Sequence, residues 1–249
     1  SSVPIENGIL LMSGGKILQV GENVTIPQGA TVIDAKGKMI LPGFVDAHTH
    51  VGIWSEWYGQ AESDGNEGSN PVTASVRAID AVWPDHFAFK DARSGGVTCV
   101  QVTPGSGNVI GGETVVVKTF GTVVDDMVVR NPAGMKGALG ENPKGSYGSQ
   151  GKAPKTRMGI ASILRNALFK AKDYLRKLEA GLEDPSKMPD TDLDMLSLVK
   201  VLKKEIPLRV HAHRADDIVT AVRIAEEFDI DYSIEHCTDG IEVADFLGK

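Results

Sequence analysis

The spacing of hydrophobic residues along the chain changes near residue 43. Before that point, short apolar runs are separated by turn-forming residues, and Ser13-Gly14-Gly15 lies between the first two runs as in a β-hairpin. These runs occupy residues 5–11, 16–20, 31–34 and 39–41. Residues 1–43 are therefore predicted to form one small all-β unit, which ends where Pro42-Gly43 breaks the last run.

From Phe44 onward, strand-like apolar runs alternate with amphipathic helical patterns. The predicted strands are residues 44–50, 76–82, 97–103, 115–119 or 135–139, 207–213 and 231–236. Apolar residues recur at helical spacing over residues 161–178 and 218–225. Such alternation indicates a parallel sheet covered by helices. The predicted fold class is α/β, with a (β/α)₈ barrel of TIM type over residues 44–249. Because about six of the eight strands are found, we expect this barrel to be truncated.

Composition and charge exclude several classes of protein. Of the 249 residues, 41% are hydrophobic and 24% are charged, as is typical of a globular protein with a full core. The net charge of −7 argues against a nucleic-acid partner, and no apolar stretch reaches the roughly 18 residues that cross a membrane. Cys99 and Cys237 are too few for a disulfide framework and indicate a reducing cytoplasm. The sequence leaves a homo-oligomer open.

The strongest chemical signal is a pair of histidines at the end of a predicted strand. In Asp46-Ala47-His48-Thr49-His50 the two imidazoles are two residues apart, so they point to the same face of the strand. Two imidazoles side by side pack poorly in a core because each carries polar nitrogens that need partners. They are suitable ligands for a divalent metal ion.

Three more histidines follow later predicted strands. His211 and His213 form a second alternating pair, and His236 lies at the end of the next strand. Five of the six histidines therefore occupy the ends of strands, where a (β/α)₈ barrel places its active site. We predict that His48, His50, His211 and His236 converge to form a metal site. The sixth, His86, lies in the first turn of a helix and is predicted to be on the surface.

Two glycine-containing segments are predicted to form loops at the mouth of the site. Residues 140–157 could cover the mouth, and Glu141 in this segment is the first choice for an anion that bridges two metal ions. Lys136, in carboxylated form, is the alternative. Residues 105–112 lack the Gly-Lys-Ser/Thr ending of a phosphate-binding loop and are interpreted as a loop that contacts substrate, with Asn108 as the candidate.

Several of these motifs resemble those of a known family. The segment Leu-Pro-Gly-Phe-Val-Asp-Ala-His-Thr-His, residues 41–50, resembles the first-strand signature of the amidohydrolase superfamily. Residues 140–144, 208–218 and 234–237 are similar to its imidazolonepropionase-related branch. The resemblance implies a small β-sandwich, to which residues 1–43 contribute the N-terminal part, beside a (β/α)₈ barrel.

The resemblance also implies roles for individual residues. His48 and His50 would bind one metal ion, His211 and His236 a second, and Glu141 would bridge them where many relatives use a carboxylated lysine. His213 matches no general ligand and is expected to touch substrate. Arg214, also expected near substrate, stands where several deaminases have a glutamate, which argues against a nucleobase deaminase.

The implied activity is hydrolysis of a carbon–nitrogen bond, in an amide or cyclic amide of a small molecule, by a metal-activated water. One or two divalent ions are expected, with zinc as the first choice and iron, manganese or nickel as alternatives. The family's general base is an aspartate at the eighth strand. After His236 only Asp239 and Asp245 remain, in or beside a helix, so the base is expected to lie outside this sequence. A non-catalytic scaffold is the alternative function.

Overall fold

A computed structural model describes residues 4–55, 59 and 63–249. The chain divides into two compact units, which meet in sequence between Pro42 and Gly43. In the described residues, no helix is both long enough and apolar enough to span a bilayer.

The first unit is built on one β-hairpin. Strands β1 (Ile9–Ser13) and β2 (Lys16–Gly21) pair antiparallel, and Gly14 and Gly15 make the turn with positive φ angles of 56° and 73°. This confirms the predicted hairpin. The further strands predicted at residues 31–34 and 39–41 do not form, because no strand of the described sequence pairs with them and their apolar side chains are exposed.

The second unit contains a six-stranded sheet and seven α-helices among its described residues. The strands, in their order across the sheet, are β3 (Phe44–Thr49), β4 (Val97–Val102), β5 (Ile110–Lys118), β6 (Val128–Ala138), β7 (Leu208–Ala212) and β8 (Tyr232–His236). The helices are α1 (Phe87–Ser94), α2 (Val124–Met127), α3 (Glu141–Gly148), α4 (Arg157–Glu183), α5 (Leu193–Leu202), α6 (Ala215–Phe228) and α7 (Ala244–Leu247). Helices α4 and α6 confirm the two predicted helices. The main core lies where α4, α5 and α6 cover β6 and β7, around Met135, Leu168, Leu198 and Ile224.

The sheet is mixed, whereas the sequence predicted a parallel one. Strand pairs β3–β4, β6–β7 and β7–β8 are parallel, but β4–β5 and β5–β6 are antiparallel. The reason is the short connection of residues 103–109, which is too short for the helical crossover that a parallel pair requires. Both alternatives for the fourth strand, residues 115–119 and 135–139, fall in or overlap strands of this antiparallel pair.

The predicted strand at residues 76–82 is wrong. Near its start the segment contacts β5 through the isolated bridge between Arg77 and Glu113, and the Glu113 amide donates a hydrogen bond of 2.7 Å to the Val76 carbonyl. The chain then turns into a short 3₁₀ helix, Ala78–Asp80. Contact with β5 at single points, without a continuous ladder, explains why no strand forms.

The sheet curls until its first and last strands approach each other. The ring centroids of His48 on β3 and His236 on β8 are 4.9 Å apart, although these strands stand at opposite ends of the strand order. The second unit is therefore a nearly closed, barrel-like sheet. Its curvature is what brings distant histidines to one place.

Candidate metal centre

Five histidines form one cluster at one end of the curled sheet. His48 and His50 project from the same side at the end of β3, with ring centroids 5.4 Å apart. The rings of His211, His213 and His236 lie 4.6 to 4.8 Å from one another, and one ligand atom of each falls within 4.8 Å of the others. His48 joins the two groups through its contact with His236. Of these described residues, His211, His213 and His236 together could hold a metal ion.

His236 reaches the cluster through an unusual backbone conformation. Its φ angle is 69°, and that of Cys237 is 49°, both in the left-handed region that non-glycine residues seldom adopt. The Cys237 amide donates a hydrogen bond of 3.1 Å to the carbonyl of Ala212 on the neighbouring strand, which holds this turn. Backbone strain of this kind is often found at functional sites.

The β3 histidines are oriented by contacts to their Nδ1 atoms. His48 Nδ1 donates to Glu235 Oε2 at 2.6 Å, and His50 Nδ1 donates to the carbonyl of Thr103 at 2.7 Å. With the proton on Nδ1, the lone pair on Nε2 remains available to a cation.

His211 and His213 are held in the same way by hydroxyl groups. His211 Nδ1 lies 2.9 Å from Ser106 Oγ, and His213 Nδ1 lies 2.6 Å from Thr238 Oγ1. The Nε2 atoms of His48 and His211 are buried and have no hydrogen-bond partner in the described part of the chain. Buried polar atoms without partners are costly unless something else binds them. These nitrogens therefore fit a divalent cation.

The two residues proposed from the sequence to bridge metal ions, Glu141 and Lys136, lie in different surroundings. Glu141 begins α3 with its side chain 53% exposed, and its carboxylate lies 3.6 Å from the Arg157 guanidinium. Lys136, on β6, is fully buried, and its Nζ has no hydrogen-bond partner among the residues described. Burial lowers the Lys136 pKa to about 8, against the effect of Glu235. Lys136 therefore lies near enough to His211 to lower its pKa, whereas the Glu141 carboxylate lies near solvent.

The cluster opens into a cavity of about 650 Å³. Four of its histidines line one side, and Trp54, His86 and Phe87 contribute aromatic rings to the lining. His86 was predicted to lie on the surface, but only 3% of its surface is exposed to solvent. Its Nδ1 accepts a hydrogen bond from the Ala88 amide and so caps α1, which draws the imidazole inward. The sequence pattern, which places His86 near the start of a helix, did not indicate that its side chain is buried.

Comparison with known proteins agrees with this geometry. Residues 31–100 match the Amidohydrolase family. A crystal structure of an amidohydrolase from Thermotoga maritima MSB8 superposes with a TM-score of 0.91 and 45% identity, over 96% of this chain and 62% of that chain. These matches support assignment of the chain to the amidohydrolase superfamily. Amidohydrolase tasK of Hapsidospora irregularis is 28% identical over 89% of this chain.

Shorter matches extend to the branch suggested by the sequence motifs. An imidazolonepropionase from Caldanaerobacter subterraneus is 49% identical over 47 residues, which are 19% of this chain and 11% of that protein. The chain covers 25% of the length of tasK and 62% of the Thermotoga chain. The chain thus spans only part of the length of these relatives.

Two residues predicted to contact substrate have other partners in the structure. The Asn108 amide is buried, donates to the Glu67 carbonyl at 2.6 Å and to Thr73 Oγ1 at 2.9 Å, and accepts from the Tyr147 hydroxyl at 3.2 Å. Its bonds fasten the loop to neighbouring segments. Arg214 is exposed and donates two hydrogen bonds of 2.6 Å to Asp216. Neither residue lines the cavity.

The loop contributes a different residue, which the sequence did not single out. Ser106, two residues before Asn108, lines the cavity and contacts His211. The only sequence signal was its place in the glycine-containing loop after β4. Asp239 and Asp245 also lie outside the cavity lining, and Asp239 Oδ2 instead accepts a hydrogen bond of 3.3 Å from the Ala215 amide.

The metal-free protein is expected to lose stability in mild acid. Burial, aided by Lys136 and His236, lowers the pKa of His211 from 6.5 to about 3. Between pH 6.5 and about pH 3, His211 is therefore mostly protonated in the unfolded chain but mostly neutral in the folded chain. Stability present above pH 6.5 is lost as the pH falls toward 3, by up to about 1.4 kcal/mol per pH unit.

Urea unfolding of chelator-treated protein at about pH 7.5 and about pH 5.5 measures this difference in unfolding free energy. His211→Asn should show a weaker dependence on pH. Equal unfolding free energies for the wild-type protein at the two pH values would contradict the prediction.

Proposed function

We propose that this protein is a metal-dependent hydrolase that cleaves a carbon–nitrogen bond in an amide or cyclic amide of a small molecule. The observation that carries the proposal is the convergence of five imidazoles, four of which line one cavity, with the buried Lys136 amine near enough to lower the pKa of His50 and His211. In the proposal, His211 and His236 would hold one divalent ion and His48 and His50 a second, and Lys136, once carboxylated, would supply a further anionic ligand.

The chemistry of the bound metal is that of a Lewis acid, which polarises a carbonyl and lowers the pKa of water toward 7. Zinc is the first choice because imidazole is one of its preferred ligands, and iron, manganese or nickel accept the same set. Asp239 and Asp245 do not line the cavity, so neither is assigned as the proton acceptor.

The protein's own residues prepare the site for such a reaction. Contacts to Nδ1 fix the rings of His48, His50 and His211, so that the ligand set is ordered before substrate arrives. Trp54 and Phe87 offer apolar surface against which a substrate can pack away from water. The cavity volume of about 650 Å³ is in the range of small-molecule sites.

The finer description of the fold belongs to the same proposal. We infer that the six-stranded sheet corresponds to strands of a (β/α)₈ barrel over residues 44–249 and that residues 1–43 contribute to a small β-sandwich. The likeness to the Thermotoga maritima amidohydrolase, with a TM-score of 0.91, supports this assignment.

Metal analysis combined with a hydrolysis assay tests the function. Purified protein is expected to contain one or two equivalents of zinc, iron, manganese or nickel, as measured by inductively coupled plasma mass spectrometry. It should hydrolyse members of a panel of cyclic amides, N-acyl amino acids and dipeptides, and lose that activity in chelator until metal is restored. Metal content well below one equivalent per chain, with no hydrolysis, would contradict the proposal and favour a non-catalytic scaffold.

A further inference from the structure

One buried carboxylate connects three strands beside the histidine cluster. The Glu235 side chain, on β8, is 7% exposed, and its two oxygens have different partners. Oε2 accepts from His48 Nδ1 at 2.6 Å, while Oε1 accepts from Arg209 Nε at 2.9 Å and from Ser233 Oγ at 2.7 Å. Glu235 thus joins β8 to both β3 and β7.

Arg209 extends this connection to the rest of the sheet. From β7, its Nη2 donates to the carbonyl of Ala47 at 2.9 Å, and its Nη1 donates to Gln101 Oε1 on β4 at 2.6 Å. Gln101 in turn donates to Thr114 on β5 at 2.7 Å. Because Ala47 directly precedes His48, Arg209 holds the backbone of β3 while Glu235 holds the His48 ring.

His48 needs such support because of its place in the fold. β3 is at one end of the strand order, and among described strands it pairs with β4 alone. Its ladder with β4 is interrupted between Asp46 and Thr49, around His48 itself. Regular strand pairing therefore does not fix the ring, and the polar contacts supply the constraint.

The backbone conformation at His236 allows Glu235 and His236, although adjacent in sequence, both to contact His48. Consecutive residues of a regular strand point to opposite faces, yet Glu235 contacts His48 and the next residue, His236, also approaches it at 4.9 Å. The φ angle of 69° at His236 ends the regular alternation and permits both contacts.

We propose that Arg209 and Glu235 form a positioning pair that fixes the ring orientation of His48 and keeps its proton on Nδ1, so that metal affinity depends on them. The inference rests on the proposed metal site. Neither residue is assigned as a ligand. Their action is through His48, whose Nε2 is buried and without a hydrogen-bond partner in the described structure.

The variant Glu235→Gln tests this inference because it changes charge and hydrogen-bonding capacity with little change in shape. If its amide oxygen keeps the bonds from Arg209 and Ser233, its NH₂ group faces His48 Nδ1 and favours the tautomer with the proton on Nε2. Zn²⁺ affinity, measured by competition with a chromophoric chelator, is expected to fall by about 10- to 100-fold. The visible spectrum of bound Co²⁺ should change as well.

A matched control separates positioning from general damage to the sheet. Glu113, on β5, is also a buried carboxylate, 3% exposed, and is bonded to Lys200 Nζ at 2.6 Å. Glu113→Gln is expected to lower the melting temperature but to leave Zn²⁺ affinity within about twofold and the Co²⁺ spectrum unchanged. Arg209→Lys keeps the charge but loses the planar fork, so its Zn²⁺ affinity should also fall.

The outcomes are distinguishable. Unchanged Zn²⁺ affinity and Co²⁺ spectrum in Glu235→Gln, with a wild-type protein that binds metal, would overturn the positioning role and leave the proposed function intact. A wild-type protein that binds no metal would instead refute the proposed function. If Glu235→Gln does not fold, Arg209→Lys decides by the same criterion, and an equal loss of affinity in Glu113→Gln would also count against positioning.

Discussion

Replacing His211 with asparagine is expected to weaken metal binding by more than about 100-fold, because even groups one step behind a ligand change affinity by 10- to 100-fold. His211 is buried between His213 and His236, with ring centroids 4.6 Å away on each side, and its Nε2 lacks a hydrogen-bond partner in the described residues. Ser106 already occupies its Nδ1. Metal content after dialysis, together with hydrolysis of the best substrate, measures the loss.

His86→Asn is the matched control for this variant. His86 is a buried histidine of the same cavity, but it lies on α1 and is not in the five-histidine cluster. Asparagine is a favourable helix cap and can replace its hydrogen bond to Ala88. We expect this protein to retain wild-type metal content. Full metal content in His211→Asn would show that His211 is not a ligand.

The histidine cluster could be predicted because it follows from local rules. His48 and His50 share a face by strand alternation. Strands β3, β7 and β8 run in the same direction, so their carboxyl ends meet at one end of the sheet. Apolar spacing also located the long helices correctly, since one face of each is buried against the sheet.

The choice between Glu141 and Lys136 could not be made from the sequence, because it depends on where β6 ends. The predicted strand covered residues 135–139, whereas β6 runs over Val128–Ala138 and carries Lys136 into the buried interior. Gly140, with a φ angle of 81°, then redirects the chain into α3 and places Glu141 near solvent. Strand length and turn geometry are set by tertiary pairing with β5 and β7.

Other features have no local signature at all. The contact between His48 and Glu235 joins residues 187 positions apart, and Glu235 reads in sequence as an ordinary neighbour of His236. The antiparallel β5–β6 pair was hidden because its two apolar runs looked like alternatives for one strand. Such contacts depend on the curvature of the whole sheet.

Replacing Lys136 with methionine is expected to lower metal affinity and hydrolysis by more than about 100-fold with little change in side-chain volume. The neutral Lys136 amine can attack the carbon of CO₂, form a new N–C bond and release a proton, which leaves an anionic carbamate. Burial favours the neutral amine by lowering its pKa to about 8. Roughly a quarter of the amine is then neutral at about pH 7.5, compared with far below 1% at the ordinary pKa of 10.5.

Two comparisons make this prediction specific to the carbamate. Protein loaded with ¹³C-bicarbonate and metal should show a carbamate ¹³C resonance that is absent from Lys136→Met. Glu141→Gln, which alters the exposed carboxylate beside Arg157, should retain wild-type metal content and activity. If Glu141→Gln loses metal while Lys136→Met keeps it, the bridging role belongs to Glu141. Helix α3 must then rearrange when metal binds, because the exposed Glu141 carboxylate does not line the cavity in this structure.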